Sequence, residues 1–433
     1  MLKTIFIYEL KYLIRNKILI ILSVVLFIIS GYALFNGSSF YNKQIAVIDK
    51  LKTKDSLSYS TILEKLKSDS LEKKDPREYK SLTFASWAIF DNKFNVYWKP
   101  NPASVISIGN RDVYPYYQEI LPVSLYMRLF KNEISNPNML LIGNIDFSYI
   151  IIFVFPLFII ALLFNFSSQN KETGIQPFLF VNVLSIKKLV YTRLVFYTLI
   201  VLAILALLFF LAFFLLLNNH SYGILIKLFL LSCLFSLFWV GVCYAVNQLN
   251  RSSVFNITFL ISLWLIFSVL IPSVSNQLAA YKYPINSEEI TKNIRRIQLK
   301  DDDAAFEAVL KKFYAKYPHY NTPDTSGANL FSKAYLAQGQ LSDLEGDSLL
   351  NGICDKMLQK QKFLSAISFA NPTMCLQNYF ANATETNLTD YVSYLKKLQQ
   401  FNVDLKQFYF RKAFTNDRMD VNYYQLMPQW YKR

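Results

Sequence analysis

Five stretches of this chain are apolar almost without interruption: Ile18–Phe35, Tyr149–Phe166, Leu189–Leu217, Ile224–Val246 and Val254–Ile271. None contains Asp or Glu. A helix needs about 20 apolar residues to cross a bilayer, and all five meet or approach that length. The pattern predicts a mainly α polytopic membrane protein with spans at 18–36, 147–166, 189–217, 224–246 and 254–272. Two long polar segments, 37–146 and 273–433, lie after the first and fifth spans.

Ahead of the first span, residues 1–17 read as an amphipathic helix at about 100° per residue. Thr4, Lys11 and Arg15 form a narrow polar stripe, with Leu2, Ile5, Phe6, Tyr12 and Leu13 opposite. Such a helix lies in the membrane surface. Glu9 breaks the pattern, falling between Ile5 and Leu13 on the apolar face. A carboxylate there needs a buried partner or a path to water. It either ties the helix to a neighbouring cationic loop or partner subunit, or snorkels to the interface. The basic start resembles a signal peptide, but Ser30-Gly31-Tyr32-Ala33-Leu34-Phe35 offers no small-x-small cleavage site. An uncleaved anchor is expected.

Segment 37–146 opens with apolar residues at helical spacing, Ile45, Ile48 and Leu51, then Ile62, Leu63 and Leu66. The aromatic stretch Trp87–Trp98 reads as short strands, and five prolines from Pro100 to Pro137 break up the remainder of the segment. A compact mixed α/β extracytoplasmic domain is expected. Segment 273–433 predicts a mainly helical domain, with helices over Glu288–Tyr317, Leu341–Ala370 and Leu388–Ala413. Asn321-Thr322-Pro323-Asp324 and Asn371-Pro372 mark its breaks. Cys354 and Cys375 are either a disulfide or two buried thiols. The final Trp430-Tyr431-Lys432-Arg433 reads as the lead-in to a further span, since aromatics and cations gather at membrane interfaces.

Charged residues make up only 17% of the chain, against roughly 25% in soluble domains. The net charge of +15 would suggest nucleic acid, but it divides as +3 in 37–146, +4 in 273–433 and +8 in the remaining, most apolar part. Cations flanking membrane spans give that distribution, so no nucleic-acid partner is expected. A cytoplasmic N-terminus puts Lys3, Lys11, Arg15, Lys17, Lys171, Lys187, Lys188, Arg193 and Arg251 all inside. Both large polar segments then lie outside.

The chemistry of catalysis is missing. No Gly-x-x-x-x-Gly-Lys-Ser/Thr phosphate loop occurs in the sequence, so ATP is not bound by that device. His220 and His319 have no partners at triad or metal-ligand spacing. Carboxylates within the spans, the usual carriers of proton coupling, are absent from the sequence. Asp301–Asp303 read as a solvated helix face. The chain is expected not to be an enzyme and to need no cofactor or metal, so energy for any work would come from a partner.

One segment looks built for such a partner. Residues 167–188, between the second and third spans, are too many for a simple turn, and carry a polar start, an apolar stretch (Phe178–Leu184) and a basic end. Exposed apolar surface on a loop suggests docking; the alternative is a helix lying flat in lipid. Lys171-Glu172-Thr173-Gly174, the apolar stretch, then Ser185 with Lys187, Lys188 and Arg193 resemble the loop between the second and third spans of type-2 ATP-binding-cassette (ABC) exporter permeases. Asn101-Pro102, Ser107-Ile108-Gly109-Asn110-Arg111-Asp112, Tyr114-Pro115-Tyr116-Tyr117 and Gly143-Asn144-Ile145-Asp146-Phe147 resemble one branch of that family. That branch has large extracytoplasmic domains and is grouped with multicopper-enzyme-maturation permeases.

The resemblance implies a bacterial inner-membrane half-transporter with six spans, acting as a dimer with an identical or similar second permease on a cytoplasmic ABC ATPase dimer. Residues 1–17 would be its elbow helix. Lys171, Glu172, Thr173, Gly174, Phe178, Phe180 and Ser185 would form the coupling interface with the ATPase; otherwise Glu172 merely caps a helix N-terminus. Three readings of function are open. ATP hydrolysis in the partner drives export of an amphipathic substrate, with Ser232, Ser236, Asn256 and Ser262 lining the path or simply packing helices. The same machine transmits force to periplasmic or lipoprotein components. The alternative, of another class, is a membrane-anchored extracytoplasmic scaffold or receptor without an ATPase.

Overall fold

The computed structural model describes residues 2–67, 75–129, 144–174, 186–216, 222–284, 303–321 and 330–432. Among these, five helices are long and apolar enough to cross a membrane. Helix α1 (Leu2–Arg15) precedes them and ends at Asn16, whose side chain accepts from Leu19 N to start α2. Helix α2 runs unbroken from Lys17 to Leu66. At 1.5 Å per residue it is about 75 Å long, so the first apolar stretch and the start of the polar segment after it are one rod.

The other four are α3 (Phe147–Glu172), α4 (Ile186–Leu215), α5 (Tyr222–Asn247) and α6 (Ser253–Lys282). Helices α3 and α6 each contain one π-helical turn, Ile150–Val154 and Ile266–Leu270. Such a turn leaves backbone carbonyls without the usual helical partner. Trp264 Nε1 donates to Phe153 O at 3.0 Å, and Asn371 Nδ2 donates to Phe267 O at 2.8 Å. Helix α3 is the most enclosed of the five, with 67% of its most apolar window buried, against 22% for α2 and 17% for α6. It is the centre of the bundle.

The two polar segments build one core rather than two. Ala88, Val96 and Ile120 from the first pack with Phe313, Ala337, Leu398 and Tyr409 from the second in a continuous buried cluster. The second segment supplies α7 (Asp303–Lys316), α8 (Leu330–Ser368), α9 (Pro372–Ala383) and α10 (Leu388–Thr415). The first supplies the far end of α2, short helices and an antiparallel strand pair, β1 (Phe94–Tyr97) and β2 (Tyr117–Ile120), in register from Phe94↔Ile120 to Tyr97↔Tyr117. Only part of the aromatic stretch read as strands is strand. Ala85–Asp91 is helical, because Ala85, Ala88 and Ile89 bury one face at i, i+3 and i+4.

Gly37 sits where α2 leaves the apolar bundle. A Cβ there would stand 2.0 Å from Val105 O, so only glycine lets the 3-10 turn Pro102–Val105 lie directly on the rod. Cys354 and Cys375 are free thiols.

Candidate functional site

At the end of the bundle away from the polar domain, four segments meet in a polar knot. Glu9 of α1 is only 6% exposed. Its carboxylate accepts from Arg193 Nε at 2.5 Å and from Tyr197 OH at 2.9 Å, both on α4. Phe6 meets the edge of Phe196 beside them, ring centroids 5.1 Å apart. Of the two readings of Glu9, the structure has the tie: the partner is the basic start of the third apolar helix in the same chain.

The last turn of α3, Ser168–Glu172, is pinned from two sides. Tyr12 OH of α1 donates to Gln169 Oε1 at 3.1 Å. Glu172 accepts from Ser253 N at 2.6 Å and from Ser253 Oγ at 2.8 Å. Lys171 Nζ donates to Asn250 O at 3.2 Å. Glu172 thus caps a helix N-terminus, that of α6, where a carboxylate meets orphan N–H groups and the positive end of the helix dipole. One turn deeper, Asn247 Nδ2 donates to Leu163 O and Cys243 O, and Asn256 Nδ2 donates to Phe164 O. The α5–α6 turn is therefore fastened to α3 through side-chain amides, and sequence reading gave Asn247 no role.

Lys171, Glu172, Thr173 and Gly174 remain exposed while so held. Thr173 Oγ1 donates back to Gln169 O at 2.8 Å, and Gly174 ends the turn with φ +68, a conformation that favours glycine. Phe178, Phe180 and Ser185 lie outside the described residues. Ser232, Ser236 and Ser262 donate to carbonyls of their own helices, at 2.7, 2.7 and 2.9 Å. Ser232, Ser236 and Asn256 are fully buried.

A second polar site lies at the opposite end of the bundle. Helix α9 belongs to the second polar segment, yet Leu376 and Phe380 are buried in the same cluster as the apolar helices. The helix is wedged against α5 and both π-helical turns. Its N-cap Asn371 accepts from Thr373 N and Met374 N while donating to Phe267 O. Beside the wedge is a cavity of about 390 Å³. Its lining includes Ser107, Ile108, Gly109, Asn110, Asp112, Asn144 and Asp146, residues of the sequence motifs around Gly109 and Asp146.

The geometry explains those motifs. Gly109 has φ +53, and a Cβ on it would stand 2.4 Å from Thr386 Oγ1; Asn110 N donates to Thr386 O at 2.9 Å. Asp146 caps α3, accepting from Tyr149 N and Ser148 Oγ at 2.7 Å each, and accepts from Ile108 N at 2.9 Å. Asp112 accepts from Asn144 Nδ2 at 3.0 Å. Burial raises both carboxyls above their ordinary range, and the charge of Asp146 adds to the rise at Asp112. Arg111 points away into the polar core, 1% exposed, with Nε on Gln44 Oε1 and Nη2 on Trp98 O. Its guanidinium stacks 4.0 Å over the Trp98 ring, and burial pushes its pKa down to about 9.

Among the described residues no group of three or more His, Cys, Asp or Glu side chains could hold a metal ion. A protein-family model described as Domain of unknown function (DUF3526) matches residues 287–432. No curated protein and no solved structure matches the chain.

Proposed function

We propose that the chain is the membrane permease subunit of an ATP-driven exporter, moving an amphipathic substrate with energy from a separate cytoplasmic ABC ATPase. In this reading α2 to α6 cross the bacterial inner membrane, the N-terminus is inside and the polar domain outside. A second permease, identical or similar, completes the machine. The observation that carries the reading is the polar knot. Residues 171–174 are exposed, yet the turn they end is joined by hydrogen bonds to α1 and to the α5–α6 turn. A partner pushing there would displace α3, the most enclosed helix, together with its neighbours.

The test is co-purification from the native host. A Walker-motif ATPase should be recovered with the full chain and depleted with a Glu172→Ala, Phe180→Asp variant that still inserts and folds. An undiminished complex in that variant would refute the coupling role. Labelling of Thr173→Cys from the outside of intact cells would refute the orientation. Recovery of only extracytoplasmic proteins would favour the scaffold.

Force transmission to periplasmic or lipoprotein components is the second reading, and α2 favours it. A single rod of 50 residues joins the apolar bundle to the polar core, so tilting its inner end moves the outer domain directly.

A further inference from the structure

The cavity beside α9 has a definite chemical character. Its lining includes the acidic residues Asp112 and Asp146. Asn276, Gln361 and Asn378 extend that polar surface. Its described lining contains no Lys or Arg. The lining also includes apolar residues, Ile152 and Phe153 on one π-helical turn, Pro272 just past the other, and Leu364 of α8. A volume of about 390 Å³ lies within the range of small-molecule sites, roughly 300–1,000 Å³.

We infer that this cavity binds an amphiphile with an ammonium head, the head between Asp112 and Asp146 and the tail along Ile152, Phe153 and Leu364. An anionic head would meet two carboxylates and no cation, so the cavity discriminates by charge. An ammonium offsets the repulsion between the carboxylates and donates to Asp112, Asp146 being already supplied by Tyr149 N, Ser148 Oγ and Ile108 N. The π-helical turns fit the same picture. They let α3 and α6 widen where α9 enters, and α9 forms one side of the cavity through Met374 and Ala381. As a binding site the cavity does not depend on an ATPase; as the cargo site it rests on the export reading.

The test uses the full chain purified in uncharged maltoside micelles, with no ATPase present, titrated calorimetrically with octylammonium, ethylammonium and octyl sulfate. Saturable one-to-one binding of octylammonium is expected, with ethylammonium weaker by about tenfold or more for want of the tail. Asp112→Asn should weaken octylammonium by about tenfold, the size of one charge-assisted hydrogen bond. Ala381→Trp should abolish binding by filling the space; Gln361→Trp fills it from α8 if the first variant does not fold. Octyl sulfate binding as tightly as octylammonium would overturn the charge assignment. Ethylammonium binding as tightly as octylammonium would overturn the amphiphile assignment, leaving a site for free amines. Unchanged octylammonium binding in a folded, cavity-filled variant would overturn the site. Failure here leaves the ATPase co-purification untouched, and a missing ATPase leaves this binding untouched.

Discussion

The tie between Glu9 and α4 invites a double-mutant cycle. Glu9→Gln leaves the Arg193 guanidinium without its anion, and Arg193→Gln leaves the Glu9 carboxylate with only Tyr197. The side chains are 8% and 21% exposed respectively, so both charges are largely withdrawn from water. Breaking a buried pair costs about 3–5 kcal/mol because the surviving charge stays buried unpaired. The partial exposure of Arg193 lets it reach water and lowers this to about 2–3 kcal/mol for Glu9→Gln. The double variant carries no unpaired charge and should cost little more than either single change, giving a coupling energy of about 1–3 kcal/mol. The assay is reversible unfolding in mixed micelles, monitored by circular dichroism. A fluorophore at Tyr8→Cys, on the exposed side of α1, reports release of that helix. Single variants should free α1 well before the bundle unfolds. A coupling energy indistinguishable from zero, with α1 released no earlier, would refute the buried-tie argument.

Three further outcomes rest on the packing. Gly37→Val should destabilise the chain by about 1–3 kcal/mol, since a side chain there collides with the backbone at Val105, and should loosen the polar domain from the bundle, read as faster proteolysis between them. Asp343 accepts from Lys406 Nζ and Ser124 Oγ at 2.5 Å and from Leu125 N at 2.9 Å, with the Asp343 and Lys406 side chains at most 8% exposed. Asp343→Ala should therefore cost about 3–5 kcal/mol in denaturant titration, while Asp343→Leu with Lys406→Met recovers much of the loss. The carboxyl of Asp146 is raised by burial, so the folded state holds its proton to higher pH than the unfolded state. Its contribution is most favourable below the ordinary carboxylate value of 3.8 and declines as pH rises through the raised value. Asp146→Asn keeps the cap and should remove that slope from a stability-versus-pH curve; an unchanged slope would contradict the burial argument.

Much of the architecture is written locally in the chain. The five apolar stretches and the amphipathic start are legible because length and periodicity report the surroundings of each helix without knowledge of its neighbours. The misplaced carboxylate of Glu9 called for a buried partner or a path to water for the same reason, since burying an unpaired charge is costly wherever the chain goes. What the tertiary structure decided are the pairings. Arg193 lies 184 positions from Glu9, and Ser253 lies 81 from Glu172, and one-dimensional spacing cannot select such partners. The fusion of two polar segments into one core is equally invisible in sequence, because each alternates apolar and polar residues as an independent domain would. So is the wedge of α9, whose apolar face reads alike whether it meets a soluble core or a bundle of spans. The Asn-Arg-Asp motif shows both halves at once. Its residue order is evident in the chain, but only folding turns Arg111 into the polar core and Asp112 into the cavity, because burial and charge act through space.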